Sequence, residues 1–315
     1  MSAAATRVAV IGVGHLGKHH ARIYADMENV ELAGVVDIQQ ARAEEIATAH
    51  KTRAYTDYHA VLGKVDAVSL AVPTIDHARI GLELLSQGID VLVEKPIAAT
   101  LEDARKLDVC AGENRRILQV GHVERFNPVV TQAREAATCP QFFEIHRLAA
   151  FSPRSLDIDV VLDLMIHDLD IVLDLVRSPV TEVRAVGIPV LSKRADIANA
   201  RIEFQSGCVA NLTASRVSFE RMRKLRFFQP HDYISIDYGS QRGTVVSLRM
   251  GRVTERKLEP PEQEPLKLEL QAFIESVKTR RPPLVSGEDG VKALELALRI
   301  NDEIDRKSRS NVTEG

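Results

Sequence analysis

Residues 1–121 alternate between short apolar runs and longer amphipathic stretches, and this alternation restricts the fold more than any other feature of the chain. Short β-branched runs bounded by Gly or Pro predict buried strands, whereas the stretches between them have helical periodicity. The order predicts a parallel sheet with helices on both faces. The predicted strands are Arg7–Ile11, Glu31–Val36, Asp66–Val72, Ile89–Val93 and Arg116–Val120, and the predicted helices are Leu16–Met27, Gln39–His50, Ile75–Gln87 and Leu101–Glu113.

A glycine-rich turn joins the first strand to the first helix and has the sequence Gly12-Val13-Gly14-His15-Leu16-Gly17. In this position Gly12 permits a tight turn, Gly14 lets the backbone approach a pyrophosphate, and Gly17 lets the helix pack closely on the strand. The N–H groups and the positive dipole end of the helix favour phosphate. These six residues are therefore predicted to bind a dinucleotide, as in a Rossmann domain. A glycine-rich turn that binds no dinucleotide is the alternative.

Two further strand ends complete the predicted cofactor site. Asp37 follows the second strand, about 20 residues after Gly17, where a carboxylate accepts hydrogen bonds from the adenosine ribose and repels a 2′-phosphate. This favours NAD, although Arg42 leaves NADP possible. Val72, Pro73 and Thr74 end the third strand and are predicted to border the nicotinamide side, with a simple strand terminator as the alternative for the proline.

The pattern changes after Gly121, where strands separated by turns replace the strand–helix alternation. Two runs around Gln205-Ser206-Gly207 predict a hairpin. We therefore predict an α/β protein: an N-terminal Rossmann domain with a doubly wound parallel sheet over residues 1–121, and a C-terminal α+β domain with an open, mostly antiparallel sheet over residues 122–315. The closing helices are free to pack back on the first domain. The predicted elements are helices at Pro128–Ala137, Asp159–Val176, Leu266–Arg280 and Gly287–Arg306, and strands at Phe142–Ala149, Ala198–Phe204, Cys208–Arg216, Asp232–Tyr238 and Thr244–Met250.

Composition excludes several classes of function. The 315 residues carry a net charge of −3, which gives no reason to expect nucleic acid as a partner. No run of 18 apolar residues occurs, so no membrane span is expected, and the N-terminus lacks an apolar signal core. Three widely spaced cysteines indicate a reducing compartment, with neither a disulfide framework nor a zinc site. We expect a cytoplasmic protein without a metal.

Glu94-Lys95-Pro96 directly follows the predicted buried strand Ile89–Val93. In an open α/β sheet, ligands bind at the carboxyl ends of the strands. A lysine at such a position can take part in proton transfer if it is partly desolvated. We predict that these three residues lie beside the nicotinamide and that Lys95 also contacts substrate. The alternative is a surface lysine whose ammonium reaches water.

The predicted helix Asp159–Val176 is apolar on most sides but carries a polar stripe. On an ideal α-helix, Asp163, His167, Asp170 and Asp174 fall within a wedge of about 60°. One interpretation is a narrow stripe facing water. The other places Asp163 and His167 at the floor of a cleft, where the carboxylate orients the imidazole as a general base. The i, i+4 spacing also suits two metal ligands, but no third ligand has a clear spacing.

The glycine turn, Glu94-Lys95-Pro96 and Asp163-x-x-x-His167, in this order, resemble the Gfo/Idh/MocA oxidoreductase family over essentially the whole chain. The resemblance implies an NAD(P)-dependent enzyme that moves a hydride between nicotinamide and a sugar or cyclitol hydroxyl. It implies a catalytic Lys95, often followed by a cis peptide bond, and a catalytic and substrate-binding pair formed by Asp163 and His167. The family commonly has glycine where this chain has Met165, which predicts tighter packing there.

The chemistry is consistent with these residues. As hydride leaves the carbinol carbon, a base must take the hydroxyl proton. His167 is the predicted base, and Lys95 is predicted to hydrogen-bond the same oxygen. Asp163 then orients His167 or binds a neighbouring hydroxyl.

Within the family, three strings resemble a narrower bacterial group that acts on C3 of a UDP-N-acetylhexosamine and supplies a keto intermediate for a diamino sugar of lipid A. The strings run from Gly14 to Arg22, from Gly121 to Pro128 and from Asp163 to Asp170. Arg125 is predicted to bind substrate. Further basic residues are candidates for a diphosphate or form a solvated face: His146, Arg147, Arg154, Arg216, Arg221, Arg223, Lys224 and Arg226.

Other functions stay open at this point. The substrate can be a free sugar or cyclitol, or an enal, imine or tetrapyrrole, although 4% aromatic residues and no Trp argue against an aromatic-rich pocket. A regulator that senses NAD without turnover is a third possibility, and the retained Lys95, Asp163 and His167 argue against it. A sheet with one covered face predicts a homodimer or homotetramer through the other face.

Overall fold

The computed structural model describes residues 5–151 and 158–313, and side chains up to residue 307. The chain divides into two units. The N-terminal unit contains the chain up to residue 123 together with 264–291, and the C-terminal unit contains 124–263 together with the chain from 292 onward. A segment near the C-terminus therefore belongs to the N-terminal unit, as the prediction for the closing helices allows.

The N-terminal unit is built on a six-stranded parallel sheet in the order β3-β2-β1-β4-β5-β6. From β1 the chain adds β2 and β3 on one side of the sheet, and it then returns to add β4, β5 and β6 on the other side. Such a switch point between β1 and β4 opens a crevice at the carboxyl edge of the sheet. β1, β4 and β5 are buried along nearly their whole length, as their apolar runs predict. The strands are β1 (Thr6–Ile11), β2 (Val30–Val36), β3 (Ala54–Tyr55), β4 (Ala67–Leu70), β5 (Asp90–Glu94) and β6 (Leu118–Gly121).

Five helices cover this sheet, and most follow from local sequence. Thr100 caps the fourth helix, because its Oγ1 accepts the Asp103 N–H at 3.1 Å. The last helix of the unit packs Leu270 and Phe273 into the same core as Tyr24. The helices are α1 (Gly17–Ala25), α2 (Gln40–Ala49), α3 (Thr74–Ser86), α4 (Leu101–Glu113) and, after the C-terminal unit's strands, α7 (Pro265–Thr279).

The C-terminal unit is built on an eight-stranded sheet in the order β14-β13-β12-β11-β7-β10-β9-β8. β7 and β10 pair in parallel, and the other neighbouring pairs are antiparallel. Alternate residues form one buried face, on which Phe143 stacks on Phe227 with ring centroids 5.3 Å apart. The strands are β7 (Phe142–Leu148), β8 (Val180–Ile188), β9 (Ile197–Phe204), β10 (Val209–Ser215), β11 (Met222–Gln229), β12 (Asp232–Asp237), β13 (Arg242–Arg249) and β14 (Arg252–Leu258).

The predicted helix Asp159–Val176 is not one regular α-helix. Residues Val161–Met165 form a π-helical turn, and α6 (Ile166–Val176) continues from it. A π turn has more residues per turn than an α-helix, so a wheel of 100° per residue does not hold across it. The unit also contains α5 (Pro128–Ala136), while α8 (Gly287–Thr313) extends past the predicted end at Arg306. No helix in the described part of the chain is long and apolar enough to cross a membrane.

A short 3₁₀ helix, Tyr58–Val61, is tied to α3 by an exposed histidine. The Nδ1 atom of His59 lies 2.6 Å from Asp57 Oδ1, and its Nε2 atom lies 3.2 Å from Glu83 Oε1. The hydrogen bond with Asp57 is the main cause that raises the pKa of His59, with further support from Glu83. The protonated ring therefore stabilises this corner of the unit.

We expect this contribution to be fully present below the unfolded-state pKa of about 6.5 and to be lost as pH rises through the higher folded-state pKa. His59→Gln should therefore lower the thermal unfolding midpoint most in mildly acidic buffer and least in alkaline buffer. Differential scanning calorimetry across this pH range, with His50→Gln as the matched control, measures the effect. A loss for His59→Gln that is the same at every pH would contradict the assignment.

Candidate active site

The glycine turn has the conformation that the sequence predicts. Gly12 has φ +84°, and a Cβ atom there would lie 2.6 Å from the carbonyl oxygen of Ala71. A Cβ atom on Gly17 would lie 1.8 Å from the carbonyl oxygen of Gly12, so glycine is required at both positions. A Cβ atom on Gly14 would meet no atom within 4 Å, which leaves open space beside that backbone. The turn packs against the end of β4 and keeps one approach free.

The N-terminus of α1 fits a phosphate. Leu16 occupies the cap position without a side-chain hydrogen bond, and the first turn contains no acidic residue. The first N–H groups of the helix therefore have no side-chain acceptor, and the positive end of the dipole is not neutralised. Val13 is buried, whereas His15 and Leu16 are exposed beside the turn. The residues present fit a dinucleotide pyrophosphate.

Asp37 lies at the end of β2 and is 7% exposed. Its carboxylate accepts the N–H groups of Val13 at 3.2 Å and Gln39 at 2.9 Å, and lies 3.4 Å from Arg42 Nη1. Asp37 therefore fixes the glycine turn to the β2 end. The contact of this carboxylate with the adenosine ribose stays a prediction.

Glu94 is the last residue of β5, Lys95 and Pro96 follow it directly, and the Lys95–Pro96 peptide bond is cis. The Glu94 carboxylate lies 3.1 Å from His20 Nε2 and also accepts the Lys95 N–H at 3.3 Å. Burial alone would raise the pKa of Glu94, but the close contact with His20 and the charge of Lys95 lower it below its ordinary value. Lys95 itself is half-buried.

The three predicted cofactor segments meet at one edge of the N-terminal sheet, because β1, β4 and β5 are parallel neighbours. Val72 and Thr74 are half-buried there and Pro73 is exposed. His77, on α3, links two of the segments: its Nε2 atom lies 2.9 Å from the Val72 carbonyl oxygen and its Nδ1 atom 3.0 Å from that of Pro96. Sequence reasoning missed His20 and His77, whose only signal is a polar residue on an inward helix face.

In the C-terminal unit, Asp163 lies within the π-helical turn and His167 in the first turn of α6, and both side chains are half-buried. π turns are rare and often occur at functional sites. Met165, which lies between them in the sequence, is fully buried. Asp163 and His167 are therefore the accessible part of the predicted stripe.

The rest of that stripe is neither solvated nor open to a ligand. Asp170 is 1% exposed and lies 2.7 Å from Arg125 Nε, and Asp174 lies 2.9 Å from Arg125 Nη1 and 3.0 Å from Arg134 Nε. The sequence predicts Arg125 to contact substrate, but its side chain is 4% exposed and its guanidinium is held by two carboxylates. We therefore assign Arg125 to the packing of α6 and not to substrate.

A second buried arginine holds the neighbouring acid. Arg147 on β7 makes a bidentate pair with Asp168, with contacts of 2.7 and 2.9 Å, and reaches Glu124 at 3.0 Å. Its guanidinium also lies over the Tyr238 ring, 5.1 Å from the centroid. Burial alone would lower the pKa of Arg147, but Asp168 and Glu124 raise it well above its ordinary value. Arg147 is thus a structural cation.

The remaining basic candidates separate into two kinds. Arg216 is buried against Asp196, with Nε 2.8 Å from Oδ1, and Arg226 pairs with Glu144 at 2.8 Å. The side chains of His146 and Lys224 are half-buried, and those of Arg221 and Arg223 are exposed. Arg154 lies outside the described residues. Among residues 5–151 and 158–307, no three His, Cys, Asp or Glu side chains are grouped to hold a metal.

Comparisons with known proteins agree with this geometry. Residues 6–122 match the model described as "Oxidoreductase family, NAD-binding Rossmann fold", and residues 131–255 match "GFO/IDH/MocA C-terminal domain". The chain belongs to the Gfo/Idh/MocA family. It is therefore an NAD-binding oxidoreductase, and the predicted fold class of a parallel-sheet domain followed by a mostly antiparallel one is confirmed.

Individual members of the Gfo/Idh/MocA family are similar to this chain to different degrees. UDP-N-acetylglucosamine 3-dehydrogenase of Acidithiobacillus ferrooxidans is 38% identical over 301 residues, which cover 93% of this chain and 96% of that protein. A solved structure of that enzyme has a TM-score of 0.92 and covers 96% of this chain and 99% of its own. Scyllo-inositol 2-dehydrogenase (NAD(+)) of Bacillus subtilis is 28% identical, with 93% of this chain and 92% of that protein covered.

The assignment of Arg125 predicts a loss of stability. Arg125→Met leaves Asp170 and Asp174 buried without their shared cation, which should destabilise the unit by about 3–5 kcal/mol. Arg226→Met removes a partly exposed pair with Glu144 and should cost no more than about 1 kcal/mol. Chemical denaturation of both variants measures the contrast. Equal stability of the two variants, with a raised KM for substrate in Arg125→Met alone, would restore the predicted substrate role.

Proposed function

We propose that this enzyme oxidises the C3 hydroxyl of a UDP-N-acetylhexosamine, with UDP-N-acetylglucosamine as substrate and NAD as oxidant. The observation that carries the proposal is the 38% identity, across nearly the full length of both chains, with an enzyme named for that reaction. The retained Lys95, Asp163 and His167 support turnover, since a binding protein without chemistry has no need of them. Sequence identity with scyllo-inositol 2-dehydrogenase is lower, at 28%, which favours the nucleotide sugar over a free polyol.

Three side chains are proposed to handle the proton. NAD, when bound, accepts the hydride that leaves C3. His167 takes the proton of the C3 hydroxyl as the carbonyl forms, and Lys95 donates a hydrogen bond to the same oxygen. Asp163 accepts a hydrogen bond from His167 or from a neighbouring hydroxyl. The support for these roles is the match of Lys95 and of the Asp163–His167 pair to the family's motifs, together with the partial burial of all three.

NAD is the proposed physiological cofactor because of Asp37. A 2′-phosphate would place a second negative charge against this 7%-exposed carboxylate. Arg42 offers a nearby cation, but it already lies 3.4 Å from Asp37. NADP is therefore expected to bind more weakly than NAD.

Purified protein should reduce NAD in the presence of UDP-N-acetylglucosamine and should react much more slowly with free N-acetylglucosamine or myo-inositol. NADH absorbance measures the rate, and parallel assays with NADP measure the cofactor preference. Isolation of the product and location of the ketone by NMR test the position of oxidation. Activity with a free polyol alone would refute the nucleotide-sugar proposal but would agree with family membership.

Substitutions separate chemistry from cofactor binding. Lys95→Met and His167→Gln should each lower kcat by about 100- to 10,000-fold, since each removes a proposed participant in proton transfer. NAD binding, followed by isothermal titration calorimetry or by thermal shift, should change little. Arg252→Met, which changes an exposed basic residue on the C-terminal unit, is the matched control. Near-normal turnover of either variant would remove that residue from the site.

The reaction product places constraints on the neighbouring steps. A 3-keto sugar carried on UDP is a substrate for an amino-transfer reaction, and we infer that this ketone is consumed on the way to a diamino sugar of lipid A. Cytoplasmic location agrees with this proposal, because the nucleotide sugar and NAD both occur there. The three free cysteines suit a reducing compartment.

We also propose a homodimer or homotetramer formed through the outer face of the C-terminal sheet. Phe142, Phe228 and Tyr233 make a continuous aromatic row on that face, with centroid distances of 5.8 and 5.0 Å. Val186 and Ile188 are about half exposed on the same sheet. Light scattering should give a multimeric mass for the native protein and a smaller one for Phe228→Glu. A monomeric mass for the native protein would exclude this assembly.

A further inference from the structure

Two buried histidines contact the Glu94–Pro96 turn from different helices. His20 on α1 is fully buried, and its Nε2 atom lies 3.1 Å from Glu94 Oε1 while Nδ1 lies 3.2 Å from Ser69 Oγ. The Ser69 hydroxyl lies in turn 2.9 Å from Tyr24 Oη. The second oxygen of Glu94 accepts the Lys95 N–H. His20 thus acts on the backbone of Lys95 through one carboxylate.

His77 on α3 contacts the same turn from its other end. Its ring lies between the carbonyl oxygens of Pro96 and Val72, at 3.0 and 2.9 Å, and is 1% exposed. Burial lowers the pKa of His77, although both carbonyls and Glu94 act in the opposite direction. Carbonyl oxygens only accept, so a neutral imidazole donates to one of them at a time. The ring therefore connects the Glu94–Pro96 turn with the Val72–Thr74 turn that follows β4.

Glu94 has little freedom to move away from these partners. It pairs in parallel with Gly121 on β6, and a Cβ atom at Gly121 would lie 3.0 Å from Glu94 Oε2. Glycine at this position therefore leaves just enough space for the carboxylate. The position of Glu94 is fixed by β6 on one side and by His20 on the other.

We propose that His20 and His77 are positioning residues that set the place of Lys95 relative to the Val72–Thr74 turn. The proposal rests on the proposed function, in which Lys95 contacts the reacting oxygen. His20 fixes the backbone N–H of Lys95 through Glu94. His77 fixes the Pro96 carbonyl and joins it to Val72. Together the two histidines hold the Glu94–Pro96 turn at both ends. A displacement of about 1 Å at such a turn is enough to lower the reaction rate by up to about 100-fold.

Paired amide substitutions at His77 separate its two carbonyl contacts. The side-chain amide nitrogen of Asn reaches the place of Nδ1 and that of Gln reaches the place of Nε2. His77→Asn therefore offers a donor to the Pro96 carbonyl alone, and His77→Gln offers a donor to the Val72 carbonyl alone. We expect His77→Gln to lower kcat by about 10- to 100-fold with little change in the KM for NAD. His77→Asn should retain most of kcat and raise the KM for NAD.

His20 provides a second, independent pair. His20→Gln keeps a donor toward Glu94, whereas His20→Leu removes it. His20→Leu should lower kcat by about 10- to 100-fold, and His20→Gln should restore most of that loss. His59→Gln is the control for introducing glutamine in place of histidine in the same unit, and at alkaline pH its kcat should match that of the native protein.

Hydrogen–deuterium exchange of the cofactor-free protein tests, without any sugar, whether His20 and His77 hold the Glu94–Pro96 turn. Peptides that contain Lys95 and Ile97 should exchange faster in His77→Gln and His20→Leu than in His77→Asn, His20→Gln and His59→Gln. Equal exchange in all five variants, or equal loss of kcat in His77→Asn and His77→Gln, would overturn the proposal. A native protein that oxidises no nucleotide sugar would refute the proposed function. The exchange measurement would still decide whether His20 and His77 hold the Glu94–Pro96 turn.

Discussion

The burial of carboxylates determines much of the architecture of both units. An ionised carboxylate cannot lie in a protein interior without a cation or several hydrogen-bond donors, and its partners must come from other parts of the chain. Glu94 is matched by His20, Asp168 by Arg147 and Asp196 by Arg216. Each pair joins segments that are distant in sequence. The helices and strands that carry the candidate site are therefore fixed by charge as well as by apolar packing.

The features that sequence predicted well are local. Gly12 and Gly17 are required by contacts within one turn, and Thr100 caps a helix that begins beside it. Lys95 lies at the carboxyl edge because the buried run before it is a parallel strand. In each case the residues that decide the conformation are neighbours along the chain, so the local pattern carries the information. The site residues of the N-terminal unit belong to this group.

The features that sequence did not predict depend on distant partners or on a departure from regular geometry. Arg125 and Asp170 are 45 residues apart, and nothing in either segment identifies the other. The prediction of a polar stripe along Asp159–Val176 assumed an even rotation of 100° per residue. The π turn at Val161–Met165 does not follow that rotation. His20 and His77 were missed for the same reason as Arg125, since their partners lie on other elements. The strings 121–128 and 163–170 contact each other directly through Arg125 and Asp170, and Glu124 and Asp168 share Arg147.

The membership of residues 264–291 in the N-terminal unit has a consequence for how this protein can be divided. Arg280, just after α7, pairs with Asp90 at the start of β5, with Nη2 3.1 Å from Oδ1, and also donates to the Arg115 carbonyl at 2.7 Å. A gene fragment that ends near residue 121 would lack this arginine, and it would leave Asp90 buried without its cation and Tyr24 without the apolar cover of α7. The cofactor-binding half is consequently not a contiguous module. Chimeras that exchange it between relatives must carry the second segment along with the first.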